Sequence, residues 1–251
     1  MPNKNRPLIV PMIEEQRKKE EAILRQLRTA ESEAVFDILK QELTPDGLHA
    51  VIENASDFAE AVTKKFRHPD TPPVACKMGC YWCCYQSVPI IAPEAFRITW
   101  FMETEQLEDD QTDVVDRLHK LDKKTRGLTP KARAKMYVAC AFLKEGRCVI
   151  YPVHALACAE FSSFNVKDCK RGQRVGFKPK SVIHEKARMI VYHAVQQGLV
   201  DGLRRVLPKA DMSLLEFTAS VVCALDSPDA ETSWITGAKI FAGAHLASES
   251  I

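Results

Sequence analysis

Residues 20–39 read Glu20-Glu-Ala-Ile23-Leu24-Arg-Gln-Leu27-Arg-Thr-Ala-Glu31-Ser-Glu-Ala-Val35-Phe-Asp-Ile38-Leu39. Ile23, Leu24, Leu27, Val35, Ile38 and Leu39 recur at the three-to-four-residue spacing that puts apolar side chains on one face of an α-helix. The residues between them are Glu, Arg, Gln and other good helix formers, so the pattern predicts one long amphipathic helix over residues 12–43. Thr44-Pro45-Asp46-Gly47 is turn chemistry and ends it. A second helix is expected over residues 48–66, closing on the basic string Lys64-Lys65-Phe66-Arg67-His68. Pro69, Pro72 and Pro73 then break the chain.

The same helical reading returns beyond the middle of the sequence. Pro93 suits the first turn of a helix over residues 94–105. Further helices are expected over residues 112–126, just after Pro130, and over residues 181–207, with Ile183, Ala187, Ile190, Val191, Ala194 and Leu203 on a broad apolar face. Ser213 and Glu216 have the spacing of a capping box opening a helix over residues 214–225. The acidic run Glu103, Glu105, Glu108, Asp109, Asp110 and Asp113 reads as a solvated loop and helix start. Around Gly146, the apolar runs Ala141-Phe142-Leu143 and Cys148-Val149-Ile150-Tyr151 predict a small β-hairpin. The expected fold is all-α, mostly helical, with a small irregular cysteine-rich core and one short hairpin.

Composition narrows the function classes. The chain has 251 residues, 46% hydrophobic and 27% charged, with 35 Lys plus Arg against 33 Asp plus Glu. That balance gives no bulk electrostatic drive toward nucleic acid or membranes. The apolar stretch Leu8-Ile9-Val10-Pro11-Met12-Ile13 is short, broken by proline and lacks a small-residue cleavage site, which argues against a secretory signal. No run reaches the roughly 18 apolar residues of a membrane span. A cytoplasmic protein is expected. No glycine-rich phosphate loop or dinucleotide fingerprint is present.

Cysteine is the unusual residue. Nine are present, eight of them between Cys76 and Cys169, with Cys223 alone in an apolar stretch that reads as a buried helix. An odd count without an export signal argues against a disulfide framework and for metal ligation or redox chemistry. On a helix, at about 100° per residue, Cys76, Cys80, Cys83 and Cys84 would share an arc of about 100°. Gly79 and the preceding prolines allow a loop at Cys76 instead. Folding back at Gly146 would bring Cys140 and Cys148 together, and Pro152 turns the chain toward Cys158. Eight thiols suit two four-thiolate sites or one polynuclear cluster, and thiolate selects zinc or iron–sulfur clusters over hard cations. The adjacent pair Cys83-Cys84 diverges too far to close easily on one tetrahedral ion, which favours the iron–sulfur cluster over zinc.

The string Cys76-Lys-Met-Gly-Cys80-Tyr-Trp-Cys83-Cys84, followed by Cys140-Ala-Phe-Leu-Lys-Glu-Gly-Arg-Cys148-Val-Ile-Tyr-Pro and Leu156-Ala-Cys158, resembles the CxxCxxCC proteins. These are described as zinc- or iron-chelating, or as Fe–S-cluster-containing. The resemblance covers about residues 76–169 and implies metal ligation by Cys76, Cys80, Cys83, Cys84, Cys140, Cys148, Cys158 and Cys169. Two departures stand out. Three residues, not two, separate Cys76 from Cys80, and His154-Ala155 stands where the family usually has Arg-Pro. His154 is thus a candidate pH-dependent stand-in or ligand, although a packing role is the simpler reading.

The sequence therefore divides into a helical segment (residues 1–70), a cysteine-cluster metal-binding domain (71–180) and C-terminal helices packing on it (181–251). The expected function is metal binding with a redox or structural role; the expected partners are metal ions, with room for a protein partner. The alternative is a methylating enzyme using S-adenosylmethionine, because flagellin lysine methylases look similar in their cysteine motif, but no methyl-donor pocket is legible. Tyr81, Tyr85 and Tyr151 read as packing groups. Residues 131–180 carry eleven Lys plus Arg against Glu145, Glu160 and Asp168, a local +8. Lys77, Arg147 and Lys170 would offset thiolate charge, and without interleaved aromatic motifs no nucleic-acid partner is expected.

Overall fold

The computed structural model describes residues 6–104, 111–178 and 181–247. The elements are α1 (Arg6–Gln41), α2 (Pro45–Phe66), β1 (Pro89–Ile90), α3 (Ala92–Thr104), α4 (Gln111–Thr125), α5 (Pro130–Lys135), β2 (Leu143–Lys144), β3 (Arg147–Cys148), α6 (Leu156–Glu160), α7 (Val166–Arg174), α8 (Lys186–Val206), β4 (Leu215–Glu216), α9 (Phe217–Asp226) and α10 (Ala230–Ile235). The all-α expectation is met, with strands confined, among the described residues, to two antiparallel two-residue pairs. No helix among the described residues is long and apolar enough to cross a membrane.

The turn between the first two helices serves both of them. Thr44 caps α2 by accepting a hydrogen bond from the Gly47 N–H (3.2 Å), and Pro45 occupies the first turn, where its missing N–H costs nothing. The long helix α1 then packs along α8. A Cβ at Gly198 would lie 2.4 Å from the Arg28 carbonyl oxygen, and one at Gly202 would lie 2.6 Å from Val35 Cβ. Only hydrogen at these positions lets the two backbones approach so closely. Arg28 with Asp201 and Arg205 with Glu33 flank the seam. The hydrophobic core runs through all three expected segments, from Val35 and Leu39 through Phe96 and Leu118 to Val195 and Trp234.

The predicted hairpin forms as β2 and β3, with Leu143 opposite Cys148. Glu145 and Gly146 both take positive φ, the mirror-image two-residue turn that matches strand twist. Four expectations are corrected. Cys76–Cys84 is not a helix: Gly79 sits at φ 86°, and only residues 82–85 form a single 3₁₀ turn. Helix α8 starts at Lys186, so Ile183 precedes it and is exposed rather than on its apolar face. Ser213 does not cap α9; Glu216 does, its own carboxylate accepting from the Ala219 N–H (2.8 Å) after the chain has paired as β4. Cys223 is partly exposed, with its sulfur beside Arg126 Nη1 at 3.4 Å. Of the acidic run, Glu103 lies in α3 and Asp113 opens α4, while residues 105–110 lie outside the described residues.

Glu31 is fully buried on α1, at the seam with α8, and both of its carboxylate oxygens lack a hydrogen-bond partner. Burial pushes its pKa up to about 7 from an ordinary 4.5. The folded state thus binds this proton more tightly than the unfolded chain does. Stability from this group is full below about pH 4.5 and falls as pH rises toward 7, by about 3 kcal/mol. Glu31→Gln, which cannot ionise, is expected to gain on the parent chain across that window. Urea unfolding of both proteins at pH 5 and pH 7.5 measures the difference.

Candidate functional site

Three stretches of chain meet around a cavity of about 810 Å³. The first carries Cys76, Cys80, Cys83 and Cys84, the second Cys140 and Cys148, and the third Cys158; all seven line the cavity. Main-chain bonds hold the stretches together. The Cys84 carbonyl accepts from the Cys140 N–H at 2.7 Å, and the Ser163 carbonyl accepts from the Ala75 N–H at 2.8 Å. The Ser163 N–H also points at the Cys76 sulfur, 3.3 Å away. Strand β1 pairs with β4, Pro89 opposite Glu216, which anchors the chain leaving Cys84.

The eighth cysteine stands differently. Cys169 is buried on α7, which packs against the 3₁₀ turn of residues 82–85, but it does not line the cavity. Its thiol is within electrostatic reach of Cys80 and Cys83. The sequence thus brings the eight thiols into one region, seven on the cavity wall and one behind it. Cys223 lies apart from them on α9. The helical arc drawn from spacing is replaced by a loop and a 3₁₀ turn, in which successive side chains diverge by about 120°.

The thiols share an environment that resists ionisation. Burial raises the Cys140 pKa to about 12 and those of Cys76 and Cys148 to about 11, with repulsion from neighbouring thiolates adding to each. Burial likewise raises Cys80, Cys158 and Cys169. A hydrogen bond between the adjacent thiols favours the Cys83 thiolate and holds the Cys84 proton in place. Deprotonating several of these sulfurs together needs a cation among them, and binding it would release protons. Among the described residues, no three His, Cys, Asp or Glu side chains converge on a point suited to a single ion. A lone tetrahedral zinc would require sulfurs roughly 3.8 Å apart, from Zn–S bonds of about 2.3 Å. The donor set itself, thiols spread around a roomy cavity, fits a group larger than one ion.

Arg188, a further lining residue, was not read from the sequence. Arg188 on α8 donates to Glu60 Oε2 (2.7 Å), to the Tyr192 hydroxyl (3.1 Å) and to the Ala159 carbonyl (3.1 Å). His154 has its Nδ1 against the Tyr151 carbonyl and its ring stacked on Tyr151, and burial lowers its pKa. It packs, and its other nitrogen is left as an acceptor when Nδ1 carries the proton. Lys170 lies over the Trp82 ring, 5.4 Å from its centroid. The chain has no match among protein-family models, curated proteins or solved structures.

Glu94 positions the third stretch. Its carboxylate accepts from the Ile91 N–H (3.0 Å) and, across 62 residues, from the Leu156 N–H (2.9 Å). One side chain thereby caps both α3 and α6, the latter bearing Cys158 and having no side-chain cap of its own. An acid in the first turn of a predicted helix was the available signal, but its second partner is not legible from sequence. Glu94→Ala is expected to orphan two buried N–H groups at about 1–3 kcal/mol each. It should also speed amide exchange across residues 155–160, read by hydrogen-exchange mass spectrometry beside urea unfolding.

Proposed function

We propose that the protein binds a metal centre through its clustered cysteines, an iron–sulfur cluster in preference to zinc, with a redox or structural role. The observation that carries this reading is the convergence of Cys76, Cys80, Cys83, Cys84, Cys140, Cys148 and Cys158 on one cavity from three stretches of chain. Cys169, on the helix behind the 3₁₀ turn, completes the set of eight. Free thiols so placed repel one another once ionised, and soft metal ions relieve that repulsion. A cluster would supply electron transfer or a rigid cross-link; the chain's own residues bring the sulfurs together and bury them. The CxxCxxCC resemblance supports the same assignment.

A second reading keeps the cluster and adds catalysis, as the likeness to lysine methylases suggests. The specific observation in its favour is the size of the cavity, which lies in the range of small-molecule sites and exceeds what one ion occupies. Cavity-lining Glu60, Arg188, Tyr192 and His154 would then face a substrate.

Anaerobic purification with iron, zinc and acid-labile sulfide analysis tests the proposal. Iron with sulfide and visible charge-transfer absorption is expected, and a chain free of iron and zinc defeats it. Cys80→Ser and Cys148→Ser are each expected to lower metal content, because a hard hydroxyl replaces a thiolate poorly. Cys223→Ala should leave it unchanged. Chelation should raise hydrogen exchange across residues 76–169 before it does so in α8.

A further inference from the structure

Two arginines line the cavity, and they differ in one respect. Arg188 forms ion pairs with Glu60 (2.7 Å) and Glu185 (3.6 Å) and donates to the Tyr192 hydroxyl and the Ala159 carbonyl, although its Nε, like that of Arg133, lacks a hydrogen-bond partner. Arg133, on the short helix α5, is only 2% exposed, yet it forms no ion pair among the described residues. Its Nη1 donates to the Val138 carbonyl at 2.9 Å, while its Nε is buried without any hydrogen-bond partner. A guanidinium cannot shed its charge as a lysine can, so burying one unpaired is costly. The residues whose negative charge would favour it are Glu216 and Cys140. Glu216 is already committed to capping α9.

We propose that Arg133 is the buried counter-charge of the cavity, held unpaired in the protein so that it faces the net negative charge of a thiolate-ligated centre. This rests on the metal-binding reading above. Four thiolates leave a net charge of about −2 inside the protein, whether they hold a divalent ion or a cluster core of charge about +2. One fixed positive group at the wall lowers the cost of that charge without adding a ligand. Arg133 acts through the sulfurs and is a positioning residue in the electrostatic sense.

The experiment compares the full chain with Arg133→Gln, Arg133→Lys and Glu216→Gln. Glutamine keeps an N–H for the Val138 carbonyl, lysine keeps the charge, and Glu216→Gln removes a competing negative charge while still able to cap α9. Zinc affinity by chelator competition and iron and sulfide content after anaerobic reconstitution are read beside thermal melting with and without metal. R133Q is expected to weaken zinc binding by at least about tenfold, with R133K within about threefold of the parent and E216Q binding more tightly. Metal-free R133Q should melt no lower than the metal-free parent, because an unpaired buried charge has gone. Equal zinc affinity together with equal iron and sulfide content in R133Q and the parent overturns the inference alone. So does R133Q melting lower by the same amount with and without metal, which a merely structural arginine would produce. A parent chain that takes up neither zinc nor iron overturns the metal-binding reading and this inference with it.

Discussion

The cavity depends on holding together groups that repel one another once they ionise. Seven thiols line one wall system, and each ionised sulfur makes the next harder to ionise. The protein meets this constraint largely with hydrogen bonds made by the main chain. Cys84 to Cys140, Ala75 to Ser163 and Glu94 to Leu156 each tie one cysteine-bearing stretch to another or to the helical frame. Glu94 accepts from two buried N–H groups at once, so losing it would orphan both. The backbone thus contributes to the geometry of the thiols.

The frame around the cavity was largely legible in the sequence, because amphipathic periodicity over long segments survives any tertiary context. Residues 12–43 and 48–66 read correctly as α1 and α2, and the Gly146 hairpin read correctly because its turn residues accept positive φ. The misses have separate physical causes. Helix α7 carries Lys, Arg, Asp and Gln around a single buried cysteine, so it has no apolar stripe to detect; its Asn165 cap and its packing on the 3₁₀ turn hold it. The capping box at Ser213 failed because β4 claimed residues 215–216 first, moving the cap to Glu216.

The site was legible in its donors and illegible in its setting. Cysteine count and spacing identified all the thiols that gather there, since clustered cysteines outside an oxidising framework have few other uses. Arg133 was hidden in Lys131-Ala132-Arg133-Ala134-Lys135, a string that reads as solvated, because only the placement of α5 decides which of its basic residues turns inward. Glu94 and Arg188 were hidden for the same reason, their partners lying 62 and 128 residues away.

The seam between α1 and α8 has a consequence for how the chain comes to be folded. Its flanking ion pair joins Arg28 to Asp201, residues 173 positions apart, and the bond from Ser163 to Cys76 spans 87. Contacts of such range form slowly, because a long loop must be closed before any contact repays it. During synthesis α1 emerges well before the residues that cover it. Leu39 is met early by α2, but Val35, which faces Gly202, waits for α8 to emerge. The many glutamates and lysines on its other face would keep that waiting helix in solution, so its charge pattern serves the nascent chain as well as the finished fold.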